Sequence, residues 1–373
     1  MTNKPDFYKK TLTILTLFIS LIFIGKTFHN LLIGGSDFEP SVMLAKSFWS
    51  GNDVFEDKTN NPFYPHLWYI ILYPFVDIEP KNARIAFYIL NLLFFFGSVF
   101  ILKKNFNLTS NQTKILIIFS IASTPFTNLI ALGNLSLFSL FFILIFYFHK
   151  SVFIKGLALS LCIIKYNMSF LFIIYSIVYK QFRVLFIFLL INILAIFFYF
   201  YYLEISDVYK IFDPLILLFD AVDFQEKNGV DGINLGVFNI HNSLIFFKLS
   251  NLYYYIFFIF VFLVFYKIKT SIKLNEKVLI FLIYASLILI YHMIYDYVLL
   301  IPILAYILKN KNKLKFFNFY LFSIFYIFYI YKINAVLQFP IPLEVFSLIG
   351  MLLLILSGYL LLLRENSTNS EIS

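Results

Sequence analysis

Long runs of apolar residues separated by short polar breaks set the pattern of this chain. They fall at about 11–33, 84–102, 114–132, 135–149, 152–164, 167–179, 184–203, 252–267, 277–292, 295–308, 316–331 and 343–363. Most runs are apolar all round, as expected of helices enclosed by lipid and by other helices. A hydrocarbon core about 30 Å thick takes about 20 helical residues to cross. The pattern therefore predicts an all-α polytopic membrane protein of about 10–12 transmembrane helices, some of them half-length. The runs 152–164 and 167–179 are too short for two full crossings. They read as half-helices meeting at Lys165-Tyr166-Asn167, a polar break that has to line a cavity or lie within protein.

Composition agrees. The 373 residues are 61% hydrophobic and only 13% charged, which excludes a soluble globular domain. Abundant Phe, Tyr and Lys follow from AT-rich coding as readily as from function. The net charge of +9 is no nucleic-acid signature, because positive charge collects in cytoplasmic loops. The single cysteine, Cys162, rules out a disulfide framework and a CxxC motif. The basic start at Met1–Lys10 with no small-residue cleavage site predicts a retained signal anchor.

Charge then orients the spans. Nineteen of the 29 basic residues fall in segments that alternate to one side, with only Asp6, Glu276, Glu365 and Glu371 among the acids there. That side is read as cytoplasmic, with both termini on it. The other acids crowd the opposite side, mostly in loops at about 34–83 and 204–251. Within the first, Ser41–Trp49 and Pro65–Phe75 are aromatic enough to lie along the interface as short helices. Residues 1–363 read as one transmembrane domain, and 364–373 as a disordered cytoplasmic tail.

The candidate chemistry sits on the acidic side. Asp37 follows the first span at once, where a carboxylate can act as a base on a hydroxyl close to a lipid-borne substrate. An ordinary loop acid is the competing reading. Glu39 is the second carboxylate, either orienting an acceptor or simply solvated. Lys165 is expensive at membrane depth unless it snorkels or is paired. As a compact cation it suits a donor phosphate. His292 and Asp296, four apart, share a face if that segment is helical, with Asp296 setting the tautomer of His292. Asn134, Asn167 and Asn242 suit sugar hydroxyls or phosphate oxygens. Tyr64 and His66 suit a sugar or headgroup, although interfacial aromatics need no such role.

Several stretches carry a resemblance. Asp37, Ala45, Gly51 and "NPFYPHLWYIILYPF" (Asn61–Phe75) come first. "LGNLSL" (Leu132–Leu137), "IKYNMSFLF" (Ile164–Phe172), "HNSLIFF" (His241–Phe247) and "YHMIYDYVLLIP" (Tyr291–Pro302) follow in order. Together they resemble the bacterial GT-C-type, α-1,2-mannosyltransferase-like membrane glycosyltransferases, over roughly residues 10–310. Asn134-Leu135-Ser136 stands where that pattern more often has a Gln-containing motif, and Tyr166 where proline is common. The resemblance implies a GT-C-type bundle in the bacterial inner membrane, with extracytoplasmic loop helices and active site, and with Asp37 as catalytic aspartate. It implies a polyprenyl-phosphate sugar as donor, carrying a mannose-like hexose or a pentose, and a glycan or glycolipid as acceptor.

The residues support that chemistry independently. No nucleotide sugars reach the outer compartment of a bacterium, so a sugar transferred there arrives on a lipid phosphate. Such an enzyme needs a base for the acceptor hydroxyl and cationic or hydrogen-bonding groups for the leaving phosphate. The reading is an inverting single displacement with Asp37 as base, Lys165, His292 and Asn167 at the phosphate, and Tyr64, His66, Asn134, Asn242 and Asp296 around the substrate. Asp37 and Glu39 suit a hard divalent cation, but nothing demands one, and the reaction is read as metal-independent with no cofactor. A transporter or flippase, a polymerase of lipid-linked saccharides, and a non-catalytic membrane component are the alternatives. The bilayer and the lipid-linked sugar are the expected partners, and nucleic acid is not.

Overall fold

The computed structural model describes residues 4–33, 37–56, 64–217, 255–256, 259, 266, 276–290, 292–339 and 343–362. Asn242, most of the 204–251 loop, most of the 252–267 run and the tail 364–373 lie outside them. Among the described residues every regular element is a helix, as the apolar runs predict. Helices α1 (Lys4–Ile33), α4 (Pro80–Asn105), α10 (Phe182–Tyr202) and α13 (Phe317–Leu337) are long enough to cross a bilayer. Further helices complete the bundle: α7 (Ser136–Phe148), α8 (Val152–Cys162), α9 (Tyr166–Val178), α11 (Glu276–Leu289), α12 (Leu300–Lys309) and the 20-residue α14 (Leu343–Leu362). This is an all-α, polytopic membrane protein.

Two of the predicted spans are not continuous. The run 114–132 divides into α5 (Ser110–Ile121) and α6 (Thr124–Leu132), bent by 61°. Ser123 caps the new helix by accepting from the Phe126 N–H, and Pro125 stands in its first turn, where a missing N–H costs nothing. The run 295–308 opens as a 3-10 turn, Ile294–Leu299, before α12. His292 and Asp296 therefore do not share an α-helical face. Their contact comes from a cap instead, since the Met293 N–H donates to Asp296 Oδ2 at 3.2 Å.

The short helices α8 and α9 meet at a turn over 163–165, as their length predicts. Gly156 lets α8 approach α10: a Cβ there would stand 2.6 Å from Ile187. Above the bundle, α2 (Phe38–Trp49) and α3 (His66–Ile71) form the two expected loop helices. They rest on an aromatic layer in which Phe38 stacks on Phe87 at 3.9 Å and Phe48 on Tyr199 at 4.7 Å. This second core, separate from the main one between the spans, holds the α1–α2 junction in place.

Candidate active site

The hub is the elbow between α6 and α7. Gly133 ends α6 in the left-handed conformation (φ +69°), which glycine adopts without strain. At this turn the Asp37 N–H donates to the Leu132 carbonyl at 2.7 Å. That bond fastens the start of α2 to the end of α6 and brings Asp37 beside Asn134. Asn91, buried in the middle of α4, donates to the Asn134 carbonyl at 3.3 Å.

Asn134 faces two ways. Its Nδ2 donates to Asp37 Oδ2 at 3.0 Å. Its Oδ1 accepts from Lys165 Nζ at 2.6 Å and from the Ser136 N–H at 3.1 Å. Lys165 Nζ also donates to Ser136 Oγ at 2.6 Å and pairs with Asp296 Oδ1 at 2.5 Å. Three ammonium protons thus meet three acceptors, with the Tyr295 ring at 4.5 Å. The Ser136 hydroxyl lies 2.5 Å from Asp296 Oδ1 and 2.8 Å from Asn134 Oδ1, and its one proton serves one of them at a time.

The second oxygen of Asp296 is equally occupied. Asn167 Nδ2 donates to Oδ2 at 2.8 Å, and His292 Nδ1 lies 3.3 Å away. On its other side, His292 Nε2 faces the Ser286 carbonyl at 3.1 Å and the Ser286 hydroxyl at 3.2 Å. Ser286 Oγ in turn donates to the Asn167 carbonyl at 3.0 Å. Asp296 and His292 are fully buried and Lys165 is 8% exposed, so water screens none of these charges well.

The structure therefore joins Asp37, Asn134, Lys165, Asn167, His292 and Asp296 in one hydrogen-bonded constellation. Tyr64 stands beside it: burial, then the negative charges of Asp37 and Asp296, push its phenol above the usual range and keep it a donor. Burial raises the Asp37 carboxyl as well, opposed by the Asn134 hydrogen bond and the Lys165 charge. That makes Asp37 a stronger base than a solvated acid. Two expected residues sit elsewhere. Glu39 pairs with Arg84 at 2.9 Å, and Arg84 also donates to the Leu31 carbonyl. His66 is buried in the aromatic layer, 4.7 Å from the Tyr199 ring. Burial lowers it to about 4, so it is neutral. Asn242 lies outside the described residues.

Ser136, Ser286 and Asn91 join the site without having been among its predicted residues. Ser136 sits inside "LGNLSL", and a buried asparagine in the apolar α4 run was a legible signal. Ser286 offered none. Among the described residues, no three His, Cys, Asp or Glu side chains converge as a metal-ligand set.

A polytopic helical bundle that encloses a base, a buried cation and hydrogen-bonding groups at the entrance to one of its spans defines a membrane-embedded enzyme site. The comparison with known families is specific about its class. The description that matches residues 63–325, well over half of the chain, is glycosyltransferase family 87, and the chain belongs to that family. It is a membrane glycosyltransferase. No curated protein and no solved structure matches the chain.

Proposed function

We propose that the protein moves a sugar, a mannose-like hexose or a pentose, from a polyprenyl-phosphate donor to a hydroxyl of a glycan or glycolipid. Transfer takes place on the extracytoplasmic face of the bacterial inner membrane, with both termini cytoplasmic. The observation that carries this reading is the anchoring of Asp37 at the start of α2, held by the Leu132 carbonyl and by Asn134, which bridges it to buried Lys165. Asp37 takes the proton of the acceptor hydroxyl, and the oxygen attacks the anomeric carbon. The bond from that carbon to the phosphate oxygen breaks, and the polyprenyl phosphate leaves with the electron pair. One displacement inverts the anomeric centre.

The leaving phosphate gains negative charge, which a desolvated cation stabilises most strongly. In the resting arrangement all three protons of Lys165 are engaged, so the phosphate enters by displacing one acceptor, with Asp296 held back by Asn167 and His292. Tyr64 and Asn134 offer hydrogen bonds to the acceptor or the sugar. Glu39 acts through Arg84, fixing the first turn of α2 behind Asp37. The reaction needs no metal in this scheme, since Lys165 carries the charge.

The test is reconstitution of the purified protein with radiolabelled polyprenyl-phosphate mannose or polyprenyl-phosphate pentose and a glycolipid acceptor, beside the Asp37→Asn variant. Transfer by the wild type that collapses in a folded variant supports the scheme. Undiminished transfer in the variant removes Asp37 as base, and no transfer from either donor overturns the donor class.

A further inference from the structure

A second polar feature lies away from the Asp37 constellation, at the α5–α6 bend. The bend frees carbonyls, and α13 supplies donors to them: the Tyr329 hydroxyl to Phe119 at 2.7 Å and Lys332 Nζ to Ala122 at 2.7 Å. Lys332 also lies 5.1 Å above the Phe23 ring of α1. A cation at the C-terminus of α5 is favourable in itself. The neighbour is what needs explaining. Lys26 stands one turn beyond Phe23 on the helix that Lys332 packs against, so the two like charges repel, and among the described residues neither amine pairs with a carboxylate.

Their depth makes the pair costly. Lys26 precedes the end of α1 by seven residues, about 10 Å, and Lys332 precedes the end of α13 by five, about 7 Å. Lys26 is exposed on the same face of α1 as the exposed Ile22, one turn before it. A lone lysine at this depth snorkels. Lys332 is held by a carbonyl and a ring, so the repulsion is not relieved by its leaving. Beside Lys26 the surface is open, with no atom within 4 Å of where a Gly25 side chain would start. His29, three residues on, is exposed too.

We propose that Lys26 and Lys332 hold the phosphate of an anionic bilayer phospholipid in the leaflet on the Asp37 side. A net-negative headgroup relieves both the desolvation and the mutual repulsion, and its acyl chains lie along the exposed face of α1. The site is distinct from the proposed donor site. Thr124 and Leu132, the two ends of α6, are eight residues or about 12 Å apart. The inference does not depend on the reaction proposed above.

Native mass spectrometry of the detergent-purified chain with equimolar phosphatidylglycerol and phosphatidylcholine tests it. The wild type retains phosphatidylglycerol preferentially, and Lys26→Gln or Lys332→Gln each reduces that retention by about fivefold. Lys26→Gln changes an exposed side chain, so this arm survives if loss of the Ala122 cap unfolds Lys332→Gln. Equal retention of the two lipids by the wild type overturns the site, as does undiminished phosphatidylglycerol retention by Lys26→Gln. Displacement of phosphatidylglycerol by an equimolar long-chain polyprenyl phosphate, dependent on Lys26, assigns the site to the isoprenoid lipid and overturns the proposal.

Discussion

Lys165 Nζ stands 2.5 Å from Asp296 Oδ1, a buried ion pair joining the turn before α9 to the 3-10 turn before α12. Two chain segments 131 positions apart are thereby held at one point inside the bundle. Removing one partner leaves an uncompensated charge in a site with little water. Lys165→Met should therefore destabilise the protein by about 3–5 kcal/mol, whereas Lys165→Met with Asp296→Leu should recover much of that loss. Thermal unfolding in detergent of the two single variants and the double variant checks this. Additive losses would mean that the pair is not coupled.

Asp37→Asn retains the size of the side chain and, through the backbone N–H, the bond to Leu132. Folding should be preserved while the transfer rate falls by about 10²–10⁴-fold, the usual contribution of a general base. The measurement is kcat with a lipid-linked sugar, with the elution profile as control for folding.

The acid limb of activity should respond to Asn134. Asp37 works as a base only when ionised, so activity falls as pH drops through its pKa. Burial already raises that pKa, and the Asn134 hydrogen bond lowers it. Asn134→Leu removes the lowering contribution, so the acid limb of kcat/KM should move to higher pH. A limb that moves down or stays in place contradicts the role given to Asp37.

His66 makes stability pH-dependent. It is neutral when folded, with its titration lowered from 6.5 to about 4 by burial. The unfolded chain therefore binds a proton that the folded one refuses. The contribution of this group is complete above 6.5 and is lost as pH falls from there toward about 4, on the order of 1–3 kcal/mol in all. His66→Phe should flatten the thermal midpoint against pH across that window. A curve as steep as that of the wild type would place the dependence on other groups.

Membrane class and the helical character of the spans were legible because lipid imposes a one-dimensional rule: a crossing helix must be apolar along its length. The polar break at Lys165–Asn167 and Asp37 at the mouth of α1 stood out against that background for the same reason. The break inside 114–132 was less visible, because Ser123 and Pro125 occur in an apolar run that is otherwise long enough to cross. What sequence spacing could not reveal was partnership. His292 and Asp296 do meet, at 3.3 Å, but through a cap and not a shared helical face, and Asp296 binds Lys165 and Asn167 as well, while Glu39, two residues from Asp37, turns away to Arg84. A buried charge takes whichever counter-charge packing brings within hydrogen-bond distance, and only the tertiary arrangement of α6, α7, α9 and the 3-10 turn decides which that is.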